Sequence, residues 1–120
     1  VRVTIVLNME VGHWGRPYSE AAYQDGDAVQ AVFAFDAPQE VAAAGAEAAC
    51  EFAFAVCNSY PQEAFGVARE HLELVAAYRK RRNRSLSVGD VVVVGEVAYC
   101  CDRFGWQRLE RPPVLEGAAG

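Results

Sequence analysis

Lysine, isoleucine and methionine each occur once in this 120-residue chain, at Lys80, Ile5 and Met9. Arginine occurs ten times, valine seventeen and alanine twenty-one. That bias matches codons rich in G and C, and points to a bacterium with such a genome or to one of its phages or plasmids; it carries no functional weight. Histidine is confined to His13 and His71, and neither has a nucleophile partner nearby in sequence, so imidazole-based catalysis finds little support. A G-x-S-x-G elbow and a phosphate-cradling glycine-rich loop are both missing, which removes the commonest signatures of hydrolytic and transfer chemistry. No apolar run approaches the roughly 20 residues that span a bilayer. Residues 1 to 9 (VRVTIVLNM) lack the charged start, apolar stretch and small-residue cleavage site of a signal peptide. A soluble, cytoplasmic, non-membrane protein is expected.

Cysteine is present without its usual patterns. Cys50 and Cys57 lie in a strongly helical stretch, where seven residues at ~1.5 Å each separate them by about 10 Å, beyond the roughly 7 Å reach of a disulfide. Cys100 and Cys101 are adjacent and point to opposite faces of a strand. There is no C-x-x-C, and neither histidine has a zinc-type spacing from a cysteine. Four buried free thiols are expected, with no metal site and no cofactor.

What remains is a chain 52% hydrophobic and 22% charged, of a size that buries its own core without staples. Val1, Val3, Ile5, Leu7 and Met9 alternate with residues of the other face, as in a half-buried strand. Residues 10 to 27, with Gly12, Gly15, Pro17 and Gly26, read as a long loop. Alternation returns at Val29, Ala31, Phe33 and Phe35. Asp36 then caps an expected helix over 37–57, with Pro38 in its first turn and Gln39 completing a capping box. Glu40, Glu47 and Glu51 share its outer face; Val41, Ala42, Ala49, Phe52, Ala53 and Val56 share the inner one.

The stretch from Ala64 to Arg84 alternates like a strand at Leu72, Leu74, Ala76 and Tyr78. Its composition, with Glu70 and Glu73 early and Arg79 to Arg82 late, instead suits a helix over about 69–82. Ser85 to Asp90 read as a turn, and Val91 to Val94, apolar on both faces, as a buried central strand. Val97 to Asp102 and Gly105 to Leu109 complete the set, and Pro112-Pro113 stops it. The fold class expected is α+β. Residues 1–111 form one domain, an antiparallel sheet of about five strands covered on one face by the helix over 37–57, and residues 112–120 form a frayed tail.

The net charge of −5 averages two unlike stretches. Residues 1–78 hold 3 basic and 11 acidic side chains, and residues 79–120 hold 8 and 5. Arg79, Lys80, Arg81, Arg82 and Arg84 form a cluster able to pair with phosphates, and are the nucleic-acid candidates. An acidic chain is an unusual dedicated nucleic-acid binder, and the same cluster also suits the end of a solvated helix. The loop Gly12-His13-Trp14-Gly15-Arg16-Pro17-Tyr18 gathers residue types enriched at protein interfaces, so Trp14, Arg16 and Tyr18 are partner-binding candidates.

The most distinctive string is Arg84-Ser85-Leu86-Ser87-Val88-Gly89-Asp90-Val91-Val92, followed after a hairpin by Tyr99 to Trp106 with Phe104-Gly105-Trp106 at its end. Physically it is a turn: the serines bond nearby amides, Gly89 takes positive φ, Asp90 closes the turn and Arg84 pairs with Asp90 or Asp102. The string resembles the YodL-like domain of bacterial chromosomes and mobile elements, over about residues 78–110. That resemblance implies a small bacterial module and no catalytic residue or ligand. Arg84, Ser85 and Ser87 are the groups such a turn would present to a partner. The function expected is a non-enzymatic protein that docks on another protein. A nucleic-acid binder stands second and an enzyme third, with no catalytic residue assigned.

Overall fold

The computed structural model describes residues 1–11, 22–64, 66–113 and 115. Five strands, β1 (Arg2–Asn8), β2 (Val29–Asp36), β3 (Val91–Val94), β4 (Val97–Asp102) and β5 (Gly105–Arg108), form one antiparallel sheet in the order β2-β1-β3-β4-β5. Since β2 and β3 flank β1 on opposite sides, the chain crosses over β1 between them. The crossing is made by helices α1 (Gln39–Ala43), α2 (Ala46–Asn58) and α3 (Leu72–Lys80), the last preceded by a 3-10 turn at Arg69–His71. The α+β class and the central place of Val91–Val94 follow the sequence pattern. Among the described residues no helix is long and apolar enough to cross a membrane.

The main core lies between the sheet and the helices. Val3, Ile5 and Leu7 of β1, Phe33 and Phe35 of β2, Val92 of β3 and Cys101 of β4 meet Ala49, Cys50, Ala53 and Cys57 of α2 and Tyr78 of α3. Phe33 packs edge-on against Tyr78 at 5.5 Å, a geometry that brings a ring's positive edge to a neighbour's face. The other sheet face carries a smaller cluster of Val6, Val91 and Ala98, over which Tyr23, Leu109 and Leu115 pack. Burial on both faces explains why β3 is apolar at every position.

Four expectations need correction. The alternation Val29-Ala31-Phe33-Phe35 does not lie on one face. β1 residues Ile5 and Val6 pair with Phe33 and Ala31, leaving Val32 as an extra residue. This bulge sends Phe33 and Phe35 to the helices, and Val29 and Ala31 to the opposite face.

The helix expected over 37–57 is two helices. Gly45, at φ 108° and ψ 177°, breaks it, a conformation open to glycine alone at little cost. Asp36 is not its cap: it ends β2 opposite Arg2, Pro38 holds the cap position, and no side-chain cap forms. The helix expected over 69–82 is regular α-helix only over Leu72–Lys80, and Arg82 turns the chain with φ 59°. The facial split is as expected: Glu40, Glu47 and Glu51 are exposed, while Ala49, Ala53 and Val56 are buried.

Candidate functional site

The 79–90 segment forms an internal framework. Asp90 is fully buried at the start of β3 and accepts four hydrogen bonds. Two come from Arg84, Nη1 to Oδ2 at 2.6 Å and Nη2 to Oδ1 at 2.7 Å, in a bidentate fork. The others come from the backbone amides of Asn8 and Ser87, each at 2.8 Å. Arg84 also donates to the carbonyls of Asn8 and Ser85, and the carbonyl of Arg84 accepts the Tyr78 hydroxyl at 2.6 Å. Asn8 completes the joint through its Nδ2, which donates to Asp27 and to the Gly89 carbonyl. Residues far apart in sequence are locked here into one node, and of the two partners expected for Arg84 the structure selects Asp90.

The framework uses most of the residues singled out as binders. Ser85 Oγ accepts Arg79 Nη2 at 2.8 Å, and Ser87 Oγ is buried with no hydrogen-bond partner among the described residues. Neither hydroxyl bonds a nearby amide as expected. Arg79 also donates to the Ser59, Cys57 and Asn83 carbonyls, and its guanidinium stacks 4.0 Å from the Tyr60 ring centre. It ties the end of α2 to the end of α3. Arg81 donates to the carbonyl of the bulged Val32 at 3.0 Å and lies over Phe33. Lys80 and Arg82 are exposed and make no ion pair among the described residues. Trp14, Arg16, Tyr18 and His13 lie outside the described residues.

All four thiols are buried and free. Burial pushes Cys50, Cys57 and Cys101 up to about 12, and raises Cys100 as well. Thiols so raised are inert rather than nucleophilic. The native chain is therefore expected to resist an aromatic disulfide reagent at mildly alkaline pH, with all four thiols reacting after unfolding in urea. Free reaction of the native chain would contradict it. The same shift sets a direction with pH. Above the ordinary thiol value of 9.0 the unfolded chain loses protons that the folded chain keeps until about 12, so stability falls as pH rises through that window.

His71 stands 3.2 Å from Glu40 Oε1 and 3.5 Å from Glu70 Oε1, with its ring edge-on to Phe52. Hydrogen bonding to its own backbone amide, then to His71, holds the Glu40 carboxyl below its usual range. Both carboxylates are on the open surface, at 67% and 72% exposure. Spacing from the cysteines gave no hint of this cluster, because its third member lies 31 residues upstream on another helix.

Two clefts lie among the described residues. One of about 440 Å³ lies among Tyr23, Asp25, Arg108, Glu110 and Arg111, with charges of both signs. The other, about 160 Å³, lies on the helix side at the β4–β5 end, lined by Glu51, Phe54, Cys101, Asp102, Gly105 and Trp106. Its two rings meet edge to face at 6.4 Å, and Trp106 Nε1 donates to Glu51 Oε1 at 2.9 Å. Beside it the hairpin tip holds Phe104, 96% exposed, on a turn fixed by its amide donating to Asp102 Oδ1 at 2.8 Å. β5 is the sheet edge, and among the described residues no strand pairs with its outer side. The opposite edge is different: Arg81 occupies the outward carbonyl of Val32 on β2.

The sequence held two signals for this surface. One is Phe54, an aromatic on the Glu47–Glu51 face of a helix; the other is Phe104 beside Trp106. Neither residue type alone distinguishes a docking ring from a core ring. Comparison with protein-family models, with curated proteins and with solved structures finds no match to this chain.

Proposed function

We propose that the protein is a non-enzymatic docking module that binds an extended segment of another protein along β5. The observation that carries this reading is the rings of Phe54 and Phe104, both exposed, around the half-buried Trp106, beside a sheet edge that no strand covers among the described residues. Strand addition supplies backbone hydrogen bonds, and a pocket for alternate side chains supplies selectivity. The cleft has an apolar floor from the two rings and carboxylates at Glu51 and Asp102, so it suits an apolar side chain flanked by lysine or arginine. The resemblance to the YodL-like domain includes Phe104-Gly105-Trp106 and accords with a small bacterial module acting in the cytoplasm.

Nucleic acid stands second. Of its five candidate cations, Arg79 and Arg84 are held within the fold by protein carbonyls, Ser85 and Asp90, while Lys80, Arg81 and Arg82 are exposed, Arg81 with a bond to the Val32 carbonyl.

Selection from a displayed peptide library tests the docking reading. The expected result is enrichment of peptides carrying an apolar residue next to a basic one. Binding is then lost in Phe54→Ser and in Phe104→Ser, and thermal unfolding of Phe104→Ser stays close to wild type because that ring is 96% exposed. Trp14→Ala separates a contribution of the Gly12–Tyr18 sequence stretch from that of β5. Failure to enrich any peptide, or binding indifferent to both phenylalanines, would sink the proposal. Retention on heparin that Lys80→Glu with Arg82→Glu abolishes would favour nucleic acid instead.

A further inference from the structure

The cluster of Glu40, Glu70 and His71 lies away from β5, joining α1 to the 3-10 turn before α3. We infer that Glu40, Glu70 and His71 form a surface site for a single Zn²⁺ ion that clips these two elements together. The three donor atoms all lie within 4.8 Å of one another, and the two distances from His71 Nε2 are 3.2 Å and 3.5 Å. Donors placed ~2.0–2.1 Å from a tetrahedral zinc stand about 3.3–3.4 Å apart, so small rotations of the two glutamates suffice to seat the ion. The imidazole is oriented before any ion arrives. Its ring stands edge-on to Phe52 at 5.5 Å and 86°, and its side chain is only 20% exposed.

One nitrogen and two carboxylate oxygens select a borderline cation over a hard one, since calcium and magnesium prefer oxygen alone. Three protein ligands leave a fourth position for water. α1 is the element with most to gain. It has five residues and none buried, and Gly45 joins it to α2, so few contacts other than the Glu40–His71 bond hold it to the 3-10 turn.

Calorimetric titration of the full chain, stripped with a chelator, with zinc chloride provides the test. One zinc per chain is expected, together with a zinc-dependent rise in unfolding temperature. His71→Gln and Glu40→Gln each weaken binding by more than the roughly tenfold that loss of an outer partner costs a metal site. Glu40 is 67% exposed, so Glu40→Gln folds and its unfolding temperature without zinc stays near wild type. Excess magnesium leaves the titration unchanged. No binding at millimolar zinc overturns the site. Wild-type affinity in His71→Gln overturns it too, by placing the ion elsewhere, and so does displacement by magnesium, which marks general attraction to acidic surface.

Discussion

Arg84→Ala lowers the stability of the folded chain by about 3 kcal/mol, the lower end of the cost of breaking a buried ion pair. The reason is the carboxylate left behind. Asp90 is fully buried, and without the guanidinium it keeps only two of its four donors, the amides of Asn8 and Ser87. The arginine side chain is 35% exposed, so water reaches the vacated position and moderates the loss. Unfolding in urea reads the difference directly, and heating shows it as a fall on the order of 10 °C for a domain of this size. Asp90→Ala costs at least as much, since it strands a guanidinium and two amides together. A loss below about 1 kcal/mol, the scale of an exposed pair, would show that the node does not hold the strands. The same reasoning makes Arg84→Ala a stability variant: lost binding in it would report on the fold and not on a contact with a partner.

Gly89→Ala is expected to cost about 2–4 kcal/mol from two separate sources, positive φ for an L-residue and overpacking of a filled site. Gly89 sits at φ 96°, and a Cβ there would meet Val11 Cγ2 at 2.9 Å. Val11 is buried and short, with little freedom to retreat. The glycine amide also donates to the Cys101 carbonyl at 2.8 Å and its carbonyl accepts Asn8 Nδ2, so the backbone is held on both sides. Gly26→Ala is the control, because Gly26 has φ 91° and nothing within 4 Å of the added carbon. Denaturant titration of both variants separates the terms. Equal losses would mean that contact with Val11 contributes nothing.

The legible parts of this chain were those governed by local rules. Two-residue alternation located β1, four consecutive valines marked β3 as buried on both faces, and the Ser87–Asp90 turn announced its own chemistry through Gly89 and Asp90. The illegible parts each involved a distant partner. The bulge at Val32 is invisible in a perfect alternation from Val29 to Phe35, because it depends on register against β1. The expected Asp36 cap lost to strand pairing with Arg2. The basic cluster looked like one surface, yet three of its five side chains found separate acceptors: Arg79 the end of α2, Arg81 the edge of β2, and Arg84 a buried aspartate.

By itself the sequence determined the α+β class, the antiparallel strands, the buried thiols and the roles of Gly89 and Asp90 in the turn before β3, all consequences of periodicity, burial preference and glycine conformation acting over a few residues. Tertiary structure alone decided which of the clustered cations are held within the fold, which strands end the sheet, and that Phe54 and Trp106 meet across helix and strand. It alone brought Glu40 to His71. Side chains such as these are placed by long-range pairing, and one sequence carries no record of which distant group will satisfy a given arginine, ring or carboxylate until the chain has closed around it.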